Sequence, residues 1–408
     1  MGNCVCKFVQ AIFLFSFGLV VSIIKYKLEI EKDGQLRNIE GVILAKDPLQ
    51  KGLENIFGIK SFRRNQKEII KNTLNGQNSI VLMPTGGGKS LCYQLPSLLM
   101  PGMGLVISPL ISLMKDQVLA LQSLKINAKF LNSTLKKSEI KILEQDILAK
   151  KIDILYVSPE RALMPSFLAL IKTVKLSVIA IDESHCISQW GHNFRPEYLK
   201  LKSLLDLHPN VAAMALTATA DIQTRREIIL KLGLEKARFF LSSFDRPNLY
   251  IETYSKTNEL KQLKEILSKN INHKVGIIYC LSRKKVERIT SNLKSLGHNA
   301  FAYHAGLLKK DRSESQRAFL NDEKVIIVAT IAFGMGIDRA NVGFVIHMDL
   351  PKSIEAYYQE IGRAGRNGGP ANVTLLYGIR EKAIIKGMIY KSGGSLERKE
   401  AELKMVDK

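Results

Sequence analysis

The sequence is poor in cysteine and in acidic residues, and each shortage excludes a class of protein. Its five cysteines include no Cys-X-X-Cys pair, so we expect neither a disulfide framework nor a zinc site, and a reducing, intracellular compartment. Only 38 Asp and Glu oppose 60 Lys and Arg, which gives a formal charge of +22. Such an excess favours polyanions, either nucleic acid or an anionic membrane surface, although solvated lysines would give the same count.

Long apolar stretches are scarce, with one exception near the start of the chain. Residues 8–24, FVQAIFLFSFGLVVSII, carry no charge, and their 17 residues stand at the lower limit for spanning a bilayer. Three interpretations of the extension 1–45 stay open: a membrane anchor, an uncleaved signal, or a segment outside the working protein. We favour the last, because everything downstream is typical of a cytoplasmic, nucleoid or nuclear protein. Membrane contact is expected only if 8–24 is a true membrane segment.

After residue 49, short β-branched apolar runs alternate with longer amphipathic stretches. Runs of this length suit strands that are covered on both faces, and their alternation with helices predicts α/β architecture with doubly wound parallel sheets. The runs are 79–84, 104–109, 153–159, 176–182, 211–219, 275–280, 300–304, 325–330, 343–349 and 372–377.

The series of runs is interrupted at SSFDRPNLY, residues 242–250. Pro247 and its polar neighbours are typical of a linker between two lobes. We therefore predict a first lobe at 49–245, which binds the nucleotide, and a second lobe at 246–380. A charged helical tail should follow at 381–408.

A glycine-rich turn, VLMPTGGGKS (81–90), ends the first run. Its glycines let backbone N–H groups face phosphate oxygens, Lys89 would reach the β- and γ-phosphates of ATP, and the Ser90 hydroxyl would bind Mg²⁺. A chance lysine in a glycine-rich turn is the competing interpretation. Pro96 should kink or end the helix that follows. The predicted ATP-binding residues of the turn are Thr85, Gly86, Gly87, Gly88, Lys89 and Ser90.

Asp182 and Glu183 stand at the end of another apolar run. At the carboxyl end of a strand, Asp182 would bind Mg²⁺, and Glu183 would orient and deprotonate an attacking water. An Asp-Glu pair after a strand is more often a solvated strand end. Together with the phosphate loop, however, it becomes a strong indication of nucleotide hydrolysis.

The segment YYQEIGRAGR (357–366) places two arginines three residues apart. A guanidinium binds phosphate oxygens bidentately and keeps its charge. We predict that Arg366, supplied from the second lobe, is an arginine finger and that Arg363 contacts the γ-phosphate. Gln359 is expected to sense the nucleotide or the attacking water. The alternative is a basic surface turn, which the other motifs disfavour.

In this order the motifs resemble those of superfamily-2 helicases of the D-E-x-H type, and more narrowly those of the RecQ family of ATP-dependent DNA helicases. The resemblance covers about 49–377. It implies two tandem RecA-like lobes with an ATP cleft between them, and ATP- and Mg²⁺-dependent 3′→5′ movement on single-stranded or partially duplex DNA. It further implies a role in DNA repair and recombination and assigns Gln66 to the adenine edge, with Arg63 nearby. A monomer is expected. The other motifs that carry the resemblance are FGIKSFRRNQ, SPLISLMKDQ, YVSPER, ALTATA, IIYCLSRKKVE, YHAGL and VATIAFGMGID.

Aromatic and cationic residues follow the carboxylates directly, in IDESHCISQWGHNFRPEY (181–198). Trp190, Phe194 and Arg195 can stack on unpaired bases, at about 1–3 kcal/mol per base. DNA bound there could reposition the catalytic carboxylates. The alternative is that Trp190 and Phe194 are core residues, but their polar, Gly- and Pro-containing surroundings favour a loop. The resemblance lets His185 couple hydrolysis to the second lobe. The predicted DNA-binding and coupling residues are His185, Trp190, His192, Phe194 and Arg195.

Two other functions remain in competition. Full-length relatives usually continue into a cysteine-rich zinc-binding subdomain and a winged helix, whereas no cysteine follows Cys280 here. The chain could therefore be a shortened paralogue that binds DNA and hydrolyses ATP with weak or no unwinding. An RNA helicase is a weaker alternative, because the aromatic loop and FDRPN favour the DNA-type family.

Overall fold

The computed structural model describes residues 47–188, 194–243, 245–270, 274–334, 339–391 and 396–407. The extension 1–45 with its apolar segment, as well as Trp190 and His192, lie outside these ranges, so the predictions on them stay predictions. Within the described ranges, no helix is both long and apolar enough to cross a membrane.

The first lobe is built on a parallel sheet with the strand order β3-β4-β2-β5-β6-β1-β7. β5 lies at its centre, so the segment that follows β5 emerges in the middle of the sheet edge, one strand away from the loop that follows β1, with β6 between them. The strands are β1 Ser79–Leu82, β2 Met103–Ile107, β3 Ala128–Leu131, β4 Ile154–Val157, β5 Leu176–Ile181, β6 Ala212–Thr217 and β7 Arg238–Leu241.

The second lobe repeats this plan with the strand order β10-β11-β9-β12-β13-β8, again with parallel pairs. The predicted linker 242–250 begins directly after β7, and its last two residues are the first two of β8. The strands are β8 Leu249–Ser255, β9 Val275–Tyr279, β10 Ala300–Tyr303, β11 Val325–Ala329, β12 Phe344–His347 and β13 Ala371–Tyr377.

Side-chain alternation along the strands divides each lobe into two apolar layers. In β2, Leu105 and Ile107 join one buried cluster and Val106 joins the other. In β9, Ile277 and Ile278 divide in the same way between the two clusters of the second lobe. Because helices cover both faces, the central strands are buried along their whole length, as their continuous apolar runs predicted.

The helices begin and end at recognisable signals. Asp221 caps α9 by accepting a hydrogen bond from the Thr224 N–H at 2.7 Å, and Gly233 ends that helix in the left-handed region. The first-lobe helices are α1 Pro48–Phe57, α2 Gln66–Leu74, α3 Lys89–Leu99, α4 Ile111–Ser123, α5 Lys137–Leu148, α6 Pro159–Ala162, α7 Pro165–Lys172, α8 Lys202–Asp206 and α9 Ile222–Leu232, with 3₁₀ turns at Ser184–Ile187 and Pro196–Lys200. The helices of the second lobe and of the C-terminal segment are α10 Glu259–Lys269, α11 Arg283–Ser295, α12 Lys309–Asn321, α13 Ile354–Ile361, α14 Ile379–Lys391 and α15 Leu396–Asp407.

The predicted fold class, two α/β lobes with doubly wound parallel sheets, is confirmed. Of the two effects expected at Pro96, a kink or an end of the helix, the end is contradicted, since α3 continues to Leu99. Pro96 is buried there, and the Ser97 hydroxyl donates to the Tyr93 carbonyl at 2.6 Å within the same turns. Packing on both sides of α3 thus outweighs the local preference of proline to end a helix.

Candidate active site between the two lobes

The phosphate loop joins β1 to α3 and depends on its glycines. Gly88 has a φ of 83°, and a Cβ at this position would stand 2.4 Å from Gln66 Nε2, so the site requires glycine. Lys89 Nζ donates to the Met83 carbonyl at 3.1 Å and is thereby folded back along the loop. The first N–H groups of α3, which start at this lysine, have no partners within the helix and are the donors that phosphates bind in such loops.

Arg63 and Gln66 brace this loop from the start of α2. Arg63 Nη1 donates to the Gly86 carbonyl at 2.8 Å, and Gln66 Nε2 donates to the Gly88 carbonyl at 2.9 Å. Gln66 is buried, and its Oε1 accepts the Arg63 N–H at 2.7 Å. The two residues that the resemblance assigned to adenine therefore also fix the shape of the phosphate loop.

Asp182 and Glu183 follow β5 in a tight turn. The Asp182 N–H donates to the Ile107 carbonyl at 2.9 Å, and Tyr198 Oη donates to the Asp182 carbonyl at 2.8 Å. Glu183 has a φ of 49°, a left-handed conformation that costs a non-glycine residue about 1–2 kcal/mol. Such cost is typical of functional positions. Glu183 Oε2 is buried and accepts no hydrogen bond from the described residues.

Burial determines the charge state of these groups. It lowers the pKa of Lys89, against the attraction of Glu183 and Asp182. It raises the pKa of Asp182, and repulsion by Glu183 adds to that rise. It also raises the pKa of Glu183, although Lys89, Arg363 and Arg366 oppose this. The buried carboxyl group of Asp182 and the largely buried one of Glu183 therefore lie among cations from both lobes.

The second lobe contributes the end of α13 and the turn that follows it, residues 362–366, which we call the arginine turn. A Cβ on Gly86 of the phosphate loop would stand only 3.2 Å from Arg366 Cγ, so the turn packs against the loop. Both motifs open onto one cavity of about 320 Å³. Its lining residues are Arg63, Thr85, Gly86, Gly88, Lys89, Ser90, Leu113, Gln117, Asp182, Glu183, Ala218, Ala340, Gln359, Arg363 and Arg366.

A chain of hydrogen bonds runs from His185, which lies beside Glu183, to the second lobe. His185 Nδ1 lies 3.3 Å from Glu183 Oε2 and 2.8 Å from Thr217 Oγ1, which itself donates to the Thr219 carbonyl at 3.0 Å. Gln359 Nε2 then donates to Thr219 Oγ1 at 3.1 Å. Burial, and secondarily Lys89, lower the pKa of His185 to about 4, so this imidazole is neutral at pH 7.

Two family models match the chain in the same order as the lobes. The DEAD/DEAH box helicase family matches residues 63–228, and the helicase conserved C-terminal domain matches residues 258–368. The ATP-dependent DNA helicase RecQ of Pasteurella multocida is 48% identical over 354 residues, which cover 86% of this chain and 56% of that protein. The chain belongs to the RecQ family. It also covers 60% of RecQ from Bacillus subtilis, at 41% identity. The chain thus spans about half to three fifths of the length of these bacterial relatives.

Solved helicase structures share the fold of this RecQ-family chain. The helicase MrfA bound to DNA superposes with a TM-score of 0.66 at 19% identity, over 84% of this chain and 52% of that one. Mycobacterium smegmatis Lhr, bound to single-stranded DNA and AMP-PNP, gives a TM-score of 0.61 at 20% identity, over 86% and 49%. At these identities the likeness concerns the tandem RecA-like fold alone.

Among the predicted ATP-binding residues of this RecQ-family chain, Gln66 and Gly87 do not line the cavity. Phe194 and Arg195, which were predicted to bind DNA, are half-buried outside the cavity, and Arg195 Nη1 pairs with Glu160 Oε1 at 3.3 Å. Sequence reasoning missed Arg246, which contacts the phosphate loop from the linker. The only signal for it was an arginine beside a proline in a polar segment.

Proposed function

We propose that this chain is the motor core of an ATP-dependent 3′→5′ DNA helicase of the RecQ type, which acts in DNA repair and recombination. The observation that carries the proposal is the shared cavity, in which Lys89, Asp182 and Glu183 of the first lobe face Arg363 and Arg366 of the second. Hydrolysis at such a cleft would release the lobe closure that the nucleotide favours, and repeated closure along a strand is translocation.

Lys89 and the glycine-rich loop would bind the phosphates of ATP, with Arg63 and Gln66 on the side of the base. The residues present also fit Mg²⁺, because the Asp182 carboxyl group and the Ser90 hydroxyl line the same cavity as the lysine. Among the described residues no cluster of three or more His, Cys, Asp and Glu could form a metal site. One carboxylate, one hydroxyl and the phosphates are the ligands typical of Mg²⁺ in nucleotide sites. When bound, this ion would neutralise charge on the phosphates.

Glu183 is proposed as the group that positions and deprotonates the attacking water. Its raised pKa and its buried Oε2, which lacks a hydrogen bond from the described residues, suit proton acceptance. Arg366 would stabilise the charge that develops on the transferred phosphoryl group, and Arg363 would contact the γ-phosphate. Both arginines come from the second lobe, so hydrolysis would require closure.

Single-stranded and partially duplex DNA is the proposed track. The net charge of +22 supports phosphate binding in general. The neutral His185 and its contacts through Thr217 and Thr219 to Gln359 would convey the state of one lobe to the other. We further propose a monomer that acts inside the cell.

The test is the rate of ATP hydrolysis with and without a single-stranded DNA oligonucleotide, at one fixed salt concentration. We expect clear stimulation by DNA and no turnover in Lys89→Ala, whereas Lys71→Ala, an exposed lysine of α2, should match the wild type. Turnover without DNA stimulation contradicts the proposal. A single-stranded RNA oligonucleotide in competition should stimulate less than DNA, and stronger stimulation by RNA would indicate the RNA helicase instead.

A further inference from the structure

The linker between the lobes contains a contact that none of the motifs assigns. Arg246 Nη1 donates to the Thr85 carbonyl in the phosphate loop at 3.2 Å. Arg246 Nη2 donates to the carbonyls of Ala364 and Gly365 in the arginine turn, at 2.8 Å and 2.9 Å. One guanidinium therefore bonds to the main chain of both lobes at the edge of the candidate active site.

Asn248 holds this guanidinium and the same turn. Its Oδ1 accepts from Arg246 Nε at 3.2 Å, and its Nδ2 donates to the carbonyls of Gly365 and Gly369, at 3.0 Å and 2.8 Å. Gly365 has a φ of 57°, and a Cβ there would stand 2.4 Å from Asn248 Nδ2. The close approach of the linker thus depends on the glycine that lies between the two arginines of the motif.

We propose that Arg246 is a positioning residue that clamps the arginine turn against the phosphate loop and thereby sets the place of Arg366 in the closed cleft. This inference rests on the proposed ATP hydrolysis. The two Nη atoms of a guanidinium can donate to acceptors in two directions, here the carbonyls of the phosphate loop and of the arginine turn. The single ammonium group of lysine cannot reach both sets of carbonyls. A displacement of about 1 Å at a catalytic group can reduce a rate by about a hundredfold, so a lost clamp should appear in the chemical step.

The surroundings of Arg246 favour closure around an anion. A Cβ on Gly86 would stand 3.2 Å from Arg366 Cγ and 3.4 Å from Arg246 Nη1, so both arginines reach the same glycine of the phosphate loop. Burial, followed by repulsion from Arg366 and Arg63, lowers the pKa of Arg246. A bound polyphosphate would relieve this repulsion, and the clamp is then best satisfied when nucleotide is present.

The experiment compares Arg246→Lys with Arg64→Lys in the whole chain. Arg64 is the matched control, because its guanidinium also donates to linker carbonyls, those of Ser243 at 2.9 Å and Asp245 at 3.3 Å, outside the phosphate loop and the arginine turn. We expect Arg246→Lys to lower kcat of DNA-stimulated ATP hydrolysis by about tenfold or more, with KM for ATP within about twofold of wild type. Arg64→Lys should keep both constants.

A second measurement is independent of turnover. Hydrogen–deuterium exchange of the backbone at residues 362–369 should speed up in Arg246→Lys and not in Arg64→Lys. An unchanged exchange rate, an unchanged kcat in an active wild type, or an equal loss in both variants overturns the clamp. If the wild type itself fails to hydrolyse ATP while exchange changes as expected, the proposed function fails and the clamp stands as a structural contact.

Discussion

Gln359 Nε2 donates a hydrogen bond across the cleft to Thr219 Oγ1 at 3.1 Å. Thr219 follows β6, and its own N–H donates to Thr217 Oγ1 at 3.2 Å, the atom that also contacts His185. Thr217 Oγ1 donates its single proton to the Thr219 carbonyl, so His185 Nδ1 must carry the proton in their contact. The neutral imidazole is thereby oriented beside Glu183.

Thr219→Val should weaken this connection without loss of volume. We expect kcat for DNA-stimulated hydrolysis to fall about three- to tenfold with KM for ATP nearly constant, because the ground-state contacts with phosphate stay intact. Gln359→Leu should give a similar loss, and the double variant should be no worse than either single one. Additive losses would show that the two side chains act separately. Thr253→Val, an exposed site in β8, is the control.

Arg366→Ala should remove most of the chemical step while nucleotide still binds. An arginine supplied to the transferring phosphoryl group contributes about 10³-fold or more to the rate. We expect a loss of that order in kcat, with a fluorescent ATP analogue bound at near wild-type affinity, and a smaller loss in kcat with weaker binding for Arg363→Ala. Arg317→Ala, exposed on α12, serves as control. A greater loss of kcat in Arg363→Ala than in Arg366→Ala would reverse the two assigned roles.

A partly buried ion cluster in the second lobe predicts a pH-dependent stability. Lys285 Nζ lies 2.6 Å from Asp349 Oδ1 and 2.8 Å from Glu259 Oε2, and Lys256 Nζ lies 2.9 Å from the same Asp349 oxygen. Burial alone would raise the pKa of Asp349 and of Glu259, but the bonds with Lys285 outweigh it, so both pKa values are lowered. The cluster therefore stabilises the fold above about pH 4, and this stabilisation is lost as the pH falls through the lowered values.

Lys285→Met should lower the free energy of unfolding of the second lobe by about 2 kcal/mol at pH 7, because it leaves partly buried carboxylates with fewer partners. Urea denaturation at pH 7 and at pH 3.5 measures this, and the difference from wild type should shrink at the lower pH. The control is Lys274→Met, whose partner Glu323 lies 3.4 Å away on the surface, with an expected cost below about 1 kcal/mol. A difference that is independent of pH would exclude the ion cluster as its cause.

Sequence patterns predicted the central strands better than the edges of the sheets. Every predicted run contains a strand, but β3, β7 and β8 were missed, and each of these is an edge strand. β8 is largely exposed, with Tyr250 and Ile251 facing solvent, so it lacks the continuous apolar run of a strand that is covered on both faces. The sequence of such an edge strand, next to a proline-containing linker, resembles that of a loop.

The cavity residues that could be predicted from the sequence are those that lie within short contiguous motifs. The phosphate loop, the carboxylate pair and the arginine turn each occupy a few consecutive residues. Arg246 and Ala340 lie outside these stretches, and their place at the cleft depends on how the two lobes meet. No periodicity carries that information, because contacts between the lobes join residues more than a hundred positions apart, such as Arg246 and Ala364.

Trp190→Ala tests the predicted coupling loop. The structure describes the chain up to residue 188 and again from residue 194. The Arg195 N–H donates to the Cys186 carbonyl at 2.9 Å, so the chain returns from this loop directly beside the 3₁₀ turn that carries His185. We expect the variant to bind the ATP analogue normally and to lose most of its DNA stimulation, because base stacking contributes about 1–3 kcal/mol per base. The measurement is the ratio of hydrolysis rates with and without single-stranded DNA, with exposed Lys200→Ala as control. A wild-type ratio in Trp190→Ala would leave the cleft chemistry intact and assign the coupling to other contacts.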